Sequence, residues 1–443
     1  MNWYKAALPV GGPIGFTGRG DRRPAGGSMQ KLLWVLSVCS LLWSSPAWAE
    51  MSATAIQAMF HPYANGKPSV EGLAPGTKIG PDSWQAAQDY LPVEILDRIK
   101  AGELAFEVRE TTDLPVSDAY ITATQNHAEH VQLGADGELG GYVAGMPFPI
   151  LDPADEQAGL KAAWNYRHRD FGNIMQVWNT FRLIEESGSV NREIENYYVV
   201  AFGMHRPPTD GPDPNIWQEE GLLYKEYYHI TAPFDLKNTI SLKHRHIRDQ
   251  AKDDDWVYSP AGRKIRKIIV KHEDAALDSG MLNDDYFGFS GYIRSYTWKL
   301  VGIQTLLAPV GVQAVKTTFG GRGGWYPVDP WELRELVVLE GVPKADDHPY
   351  GKRVLYIDRQ MFVPVYALMY DRAGAHIKTM FELYGNPKFN PGNEHVRVPV
   401  WTGETMIDYQ NEFGSVTEVT KIIYNEPIPA DFFNLNKIVA RGR

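Results

Sequence analysis

The stretch WELRELVVLEGVPKADDHPYGKRVLYIDRQMFVPVYALMYDRAG, Trp331 to Gly374, decides the fold. In WELRELVVLE the residues Trp331, Leu333, Val337 and Leu339 recur on one side of a two-residue period, and FVPVYALMY is apolar on nearly both sides. A two-residue period is that of a β-strand, and apolar residues on both sides mark a strand covered on both faces. The turns within the stretch are short, which suits antiparallel neighbours.

The same period runs outward from this core. EIENYYVVAF places Ile194, Tyr198, Val200 and Phe202 together, NTISLKHRHI places Ile240 and Leu242 with His244 and His246, and SYTWKLVG aligns Tyr296, Trp298 and Leu300. Roughly eleven such runs lie between Asn191 and Tyr424, joined by short turns such as YDRAGAH and SPAGRK. Crossover helices do not fit in connections of that length, so a large antiparallel sheet is expected. The longest irregular loop is HRPPTDGPDPN, His205 to Asn215.

Upstream, residues 50–190 read as helical and irregular. PDSWQAAQDYLPVEILDRIKAGE predicts two short amphipathic helices split at Pro92 and closing at Gly102. Asp152-Pro153, followed by Asp155 and Glu156, predicts a helix start, with Leu160, Ala163 and Trp164 on its apolar face. The expected architecture is mainly β with α: residues 191–443 form a large curved antiparallel sheet, an open half-barrel, and residues 50–190 supply a helical cover continuous with it.

The N-terminus reads as a leader. Met29 is followed by Lys31, the apolar run LLWVLSVCSLLW, Pro46 and the small residues Ala47 and Ala49, the pattern of a secretory signal peptide over residues 29–49 cleaved after Ala49. Residues 1–28 are aperiodic and precede this complete signal, so they read as an over-called start. The single cysteine, Cys39, lies inside the apolar run, which leaves the exported chain without a thiol and fits a periplasmic protein stabilised by core burial. The formal net charge is −10. Loss of Lys5, Arg19, Arg22, Arg23 and Lys31 against the single Asp21 makes the exported chain more acidic still. That balance disfavours nucleic acid and anionic membrane surfaces. No later segment approaches the ~18 consecutive apolar residues of a membrane span, so an integral membrane protein is not expected.

Catalytic motifs are missing. No nucleophile elbow, P-loop, dinucleotide fingerprint or zinc helix is present, and GGRGG, Gly320 to Gly324, lacks the helix that a phosphate loop opens. The weak metal candidates are His127 with His130 and His244 with His246. A catalytic zinc needs three protein ligands, and neither pair has a local third. The carboxylate pairs in DDDW, NDDY and ADDH sit at turns, where Asp bonds its own backbone. No cofactor is expected.

Aromatic residues on the sheet are the stronger signal. The expected cavity and lid residues are Met146, Phe148, Trp164, Ile240, Leu242, Trp256, Tyr258, Tyr296, Trp298, Leu300, Tyr356, Tyr366 and Tyr370. Each alone reads as core; together, on a sheet with few helices to cover it, they point to an apolar concavity that takes a ligand.

YVAGMPFPILDPADEQAGLKAAWN, Tyr142 to Asn165, with DDDWVYSPAGRKIRKI, DDYFGFSGYIRSYTWKLVG and the opening stretch, resembles a family of exported bacterial proteins known as domain of unknown function 1329. That family is related in turn to outer-membrane lipoprotein-sorting (Lol-type) carriers and receptors. The resemblance implies an open half-barrel closed by helices over an apolar cavity, in which the hairpins Asp254–Arg266 and Tyr356–Gly374 form neighbouring strands. It implies no catalytic residues. GGYVAGMPFP, Gly140 to Pro149, is then either a lid that gates the mouth or a clamp in which Met146 and Phe148 pin a helix to the sheet. The function expected is non-catalytic: a periplasmic carrier for a hydrophobic small molecule or lipid in envelope trafficking, working with a membrane transporter or an outer-membrane acceptor. The alternatives are a periplasmic metal-assisted hydrolase or lyase using His244 and His246, and a transporter-associated adaptor.

Overall fold

A computed structural model describes residues 52–207, 215–276 and 279–442. The expected signal peptide, its cleavage after Ala49, Cys39, and most of the proline-rich loop lie outside the described residues.

One 16-stranded sheet dominates. Its strands are β1 (Lys78–Ile79), β2 (Phe106–Arg109), β3 (Ile174–Glu185), β4 (Val190–Phe202), β5 (Leu222–Ala232), β6 (Ile240–His246), β7 (Asp254–Ser259), β8 (Lys264–Ile268), β9 (Tyr296–Ala308), β10 (Val310–Val312), β11 (Trp331–Pro343), β12 (Lys352–Asp358), β13 (Pro364–Tyr370), β14 (His376–Gly385), β15 (Val400–Asp408) and β16 (Phe413–Tyr424). Two meanders of successive hairpins, β3 to β8 and β11 to β16, are joined where β16 pairs with β3. The long β9 pairs with β11. The sheet is not closed into a barrel: β8 is paired only through β7 among the described residues. Its sequence KIRKI is exposed and carries three basic side chains, which discourages another strand from adding to this edge.

The sheet departs from the expectation in two ways. It is mixed: β2 runs parallel to β11 at Trp331 and Glu332, and β10 runs parallel to β14. Both are short segments brought in by long connections, which the turn-length argument does not constrain. The sheet also takes strands from the stretch read as helical: the short β1 and β2, and the long β3 from Ile174, which alternates weakly and is buried on parts of both faces. The two hairpins singled out by resemblance each form neighbouring strands, Asp254–Ser259 with Lys264–Ile268 and Tyr356 opposite Tyr366, but one lies at the sheet edge and the other in its middle.

Alternation divides the core. On β12 and β13, Val354, Tyr356, Tyr366 and Leu368 belong to one cluster, and Leu355, Ile357, Ala367 and Met369 to another. The first is covered by α2 (Val93–Lys100), whose Ile95, Leu96 and Ile99 share a face; Glu94 in its first turn and Arg98 and Lys100 in its last complement the helix dipole, and Gly102 at φ +76° ends it. Burying a side chain such as Ile99 contributes about 1.5–3 kcal/mol. The second cluster is covered by α1 (Ala53–Phe60), α3 (Asp118–His127) and α4 (Ala158–Arg167), through Met59, Phe60, Tyr120, Ile121, Ala163 and Trp164. A third lies under α5 (Leu435–Arg441), where Phe432, Phe433 and Ile438 pack on Tyr227, Ile240 and Tyr258. Cover thus comes from the C-terminal end as well as from the N-terminal region. Asp152-Pro153 makes a turn, with Asp152 Oδ1 accepting from Ala154 N at 2.9 Å, and α4 starts only at Ala158.

The carboxylate pairs do more than turn the chain. Asp284 and Asp285 are buried against the fully buried Arg353: Nη2 donates to Asp284 Oδ1 at 2.8 Å and Nη1 to Asp285 Oδ1 at 3.1 Å. Tyr296 OH donates to Asp284 Oδ2 at 2.6 Å, and Tyr350 OH and Leu282 N both reach Asp285 Oδ2 at 2.7 Å. In DDDW, Asp253 pairs with the buried Arg245 at 2.6 Å. Breaking such a pair strands an uncompensated buried charge. Arg353→Met is therefore expected to lower the unfolding free energy by about 3–5 kcal/mol in urea denaturation; a loss below about 1 kcal/mol, the scale of a surface pair, contradicts this.

Candidate functional site

A cavity of about 490 Å³ lies against strands β3 to β7, β15 and β16 and beneath the segments 268–276 and 279–290. Its floor follows the sheet register. One row of directly opposed residues runs Ile194, Phe181, Thr417, Glu404 across β4, β3, β16 and β15, and continues to Glu382 on β14. A second row runs Tyr198, Tyr228, Ser241, Val257 across β4 to β7, and a third sets Glu226, Lys243 and Asp255 side by side. Residues opposed in an antiparallel pair point to one face, so each row presents its side chains together.

The roof is held from both sides. Arg353 grips Asp284 and Asp285, and Tyr166 OH on α4 donates to the carbonyl of Phe287 and receives Phe289 N at 3.2 Å. Phe287 adopts the left-handed region at φ +54°, and Gly288 follows at φ +83°, where a Cβ would stand 2.9 Å from Pro364. This tight turn aims Phe287 at Trp401, with ring centroids 5.4 Å apart, and places Tyr286 on the same wall. The far end of the roof is bare: Ile269 is 88% exposed beside Ile268.

The lining is mainly apolar, with polar groups gathered on the sheet side. Tyr198 OH donates to Glu226 Oε1 at 3.0 Å, and Lys243 Nζ lies 4.0 Å from Glu226 and 3.9 Å from Asp253. Burial pushes the Asp255 carboxyl up to about 6 against the pull of Lys243. Burial also pushes Glu404 up to about 7, and raises Glu382 well above the usual carboxylate range, with the neighbouring Glu404 adding to the rise. The two residues stand directly opposite each other on neighbouring strands. Trp401 Nε1 donates to Glu382 Oε2 at 2.9 Å and Thr417 Oγ1 to Glu404 Oε1 at 3.3 Å.

The cavity brings together few of the residues expected from sequence. Leu242 and Trp256 border it, but the register sets them opposite each other on the face that packs with Tyr258 under Phe432 and Phe433. Ile240 and Tyr258 belong to that same cluster. Tyr296, Trp298 and Leu300 on β9 pack with Trp164 of α4. Tyr356, Tyr366 and Tyr370 sit in the core beneath α2, where Tyr370 OH donates to Glu94 at 2.6 Å. Met146 is buried and its N–H donates to Thr124 Oγ1 at 2.8 Å; Phe148 exchanges hydrogen bonds with Asn165 at 2.8 and 2.7 Å. The segment carrying them is fastened to α3 and α4 and does not line the cavity, whose cover is formed by residues 268–276 and 279–290 instead.

His246 Nε2 lies 3.1 Å from Asp254 Oδ2, and His244 packs on Trp256 with burial lowering its pKa to about 4. Among the described residues no group of three or more His, Cys, Asp or Glu is arranged to hold a metal ion, and no helix is long and apolar enough to cross a membrane.

An open, mostly antiparallel sheet with a mainly apolar cavity under a pinned loop defines the structural class: a cavity-bearing open-sheet protein. The chain belongs to the family described as Protein of unknown function (DUF1329), whose profile matches residues 79–436. Three solved structures are similar to it. A putative outer membrane lipoprotein-sorting protein domain from Vibrio parahaemolyticus shares 18% identity over 64% of this chain and 100% of that one, with a TM-score of 0.46. A DUF1329 family protein from Desulfovibrio piger shares 15% over 65% and 99%, also at 0.46. A LolA superfamily protein from Nitrosomonas europaea shares 16% over 61% and 94%, at 0.37. Among proteins of curated function, none matches the chain.

The Glu404 shift has a testable sign. Folding raises this acid from 4.5 to about 7, so the native state binds more protons than the unfolded chain and stability falls as pH rises between those values. Glu404→Gln cannot ionise and escapes that loss. Its stability relative to the parent is expected to be higher at pH 8 than at pH 5 by on the order of 2 kcal/mol, measured by denaturant unfolding at both pH values. An identical difference at the two pH values shows that Glu404 titrates normally.

Proposed function

We propose that this protein is a non-catalytic carrier that holds an amphiphilic small molecule or lipid in the cavity beneath the roof formed by residues 268–276 and 279–290. The observation that supports it most directly is the cavity itself: its volume falls within the range of ligand sites, about 300–1,000 Å³. Its wall joins apolar side chains, Phe181, Ile194, Ile230, Val257, Met281 and Phe287, to a few polar groups gathered at defined rows of the sheet. Burial of the apolar part of a ligand supplies affinity at about 25 cal/mol per Å², and the polar groups orient it.

The exposed Ile268 and Ile269 at the roof's bare end give an apolar threshold for cargo arriving from a membrane or a partner. The leader expected at residues 29–49 and the acidic, cysteine-free remainder support a periplasmic setting for this work, with a membrane transporter or an outer-membrane acceptor as donor or recipient. Carriage of lipid or lipoprotein acyl chains is the expected trade.

Mass spectrometry of an organic extract from the protein, purified without detergent, is expected to find a recurrent amphiphile at near-equal stoichiometry. Phe181→Asp and Val257→Asp, at half-buried positions on the wall, are expected to retain at least tenfold less of it while keeping the parent circular dichroism. An empty parent protein that also fails to take up a neutral hydrophobic dye overturns the carrier reading.

A further inference from the structure

The polarity of the cavity identifies the head group it is built to receive; this step rests on the carrier reading and deepens it. Four carboxylate side chains, Glu226, Asp255, Asp274 and Glu404, line the wall, and Lys243 is the only basic side chain on it among the described residues. That lysine already stands between Glu226 and Asp253. The wall therefore has no cation to spare for a phosphate, sulfate or carboxylate head group, and an anion placed there meets like charge.

Buried acceptors at the wall also lack donors. Asn196, 3% exposed and on the cavity lining, gives its amide N–H to Asn179 Oδ1 at 2.6 Å, and its own Oδ1 receives nothing from the protein. Glu382 Oε1, on a fully buried side chain directly opposite Glu404 in the register, likewise receives no donor from the protein. Buried acceptors are normally satisfied, so one left unpaired on the cavity lining, with a second on the strand directly opposite Glu404, calls for a ligand that brings hydrogens.

The surroundings of Glu404 suit a cation in particular. Trp401, Phe287, Tyr228 and Tyr286 line the same cavity, and the fields of Glu404 and Glu226 both reach the Tyr286 hydroxyl. Aromatic faces beside carboxylates stabilise an ammonium by cation–π attraction and by charge together. Arg169, the cation whose field reaches Glu382, is engaged with Tyr166 through its Nη1 bond to the carbonyl at 2.6 Å and lies over the Tyr166 and Phe171 rings at 4.0 and 4.1 Å.

We propose that the cargo is a cationic amphiphile whose primary ammonium group is held at the Glu404–Glu382 pair, with its apolar body along Phe181, Ile194 and Phe287. The ammonium hydrogens supply the donors that the unpaired Glu382 and Asn196 oxygens lack.

The test uses the full chain, Nile red as a neutral reporter of the cavity, and three competitors with the same twelve-carbon tail: dodecylamine, dodecanol and dodecanoate. At pH 7, dodecylamine is expected to displace the dye at a concentration at least about tenfold below dodecanol, with dodecanoate weakest. In Glu404→Gln and in the Glu404→Gln/Glu382→Gln double variant the amine is expected to fall to the dodecanol value while dodecanol itself is unchanged; the single variant keeps the test decisive if the double one does not fold. Equal displacement by all three, or preference for dodecanoate, overturns the head-group assignment and leaves the carrier reading standing. Failure of the dye and of every competitor to bind overturns the carrier reading, and the head-group assignment with it.

Discussion

The site depends on one buried guanidinium. Arg353, on a strand in the middle of the sheet, reaches out of the sheet plane to hold two successive carboxylates of the loop that roofs the cavity. A charge in this setting is tolerable because it is paired with two carboxylates that are themselves held: Tyr296 and Tyr350 donate to Asp284 and Asp285, and His348 stands 2.9 Å from the Tyr296 hydroxyl. The network fixes where residues 284–288 lie, and thereby where Tyr286 and Phe287 meet the sheet. Without it the rows of side chains on β3 to β7 would be an open, wetted face.

The sheet in turn sets what the loop encloses. Rows of opposed residues present their chemistry across strands, so a carboxylate on one strand becomes the neighbour of a lysine or a second carboxylate on the next without closeness in sequence. Glu226, Lys243 and Asp255 come from three strands, and Glu382 and Glu404 from two hairpin partners, yet each group acts as a local cluster. Burial then does the rest: the same desolvation that raises Glu404 and Asp255 makes the polar groups matter energetically, because a pair in a sheltered site interacts more strongly than one in water.

Much of the fold is legible in the sequence, and the site is far less so. The two-residue period from EIENYYVVAF onward, the break at Pro92 and the stop at Gly102 all appear where the residues place them. Strand parity is where the reading of the site fails. On β6 and β7 the apolar parity, Ile240, Leu242, Trp256 and Tyr258, looks like the lining of an apolar cavity, but it is consumed by α5, and the cavity opens on the mixed parity of Ser241, Lys243, Asp255 and Val257. The signal that separates the two faces was available in the C-terminal DFFNLNKIVAR, an apolar helix that needs a face to cover. The Arg353 network is harder to find, because Asp284 and Arg353 are 69 positions apart and a turn Asp looks alike whether it bonds its own backbone or a distant guanidinium.

The asymmetry of the roof is what turns a covered sheet into a cavity with a way in. One end is locked, by Arg353 from the sheet and by Tyr166 from α4, with Gly288 packed so closely on Pro364 that no side chain fits between. The other end leaves the sheet at β8, an edge strand among the described residues, through Ile268 and the largely exposed Ile269. Opening at that end breaks few buried contacts, whereas opening at the first would strand a guanidinium and two carboxylates. An open sheet is what makes this possible: a closed barrel has no free edge at which a cover can part from the wall while the rest of it stays in place.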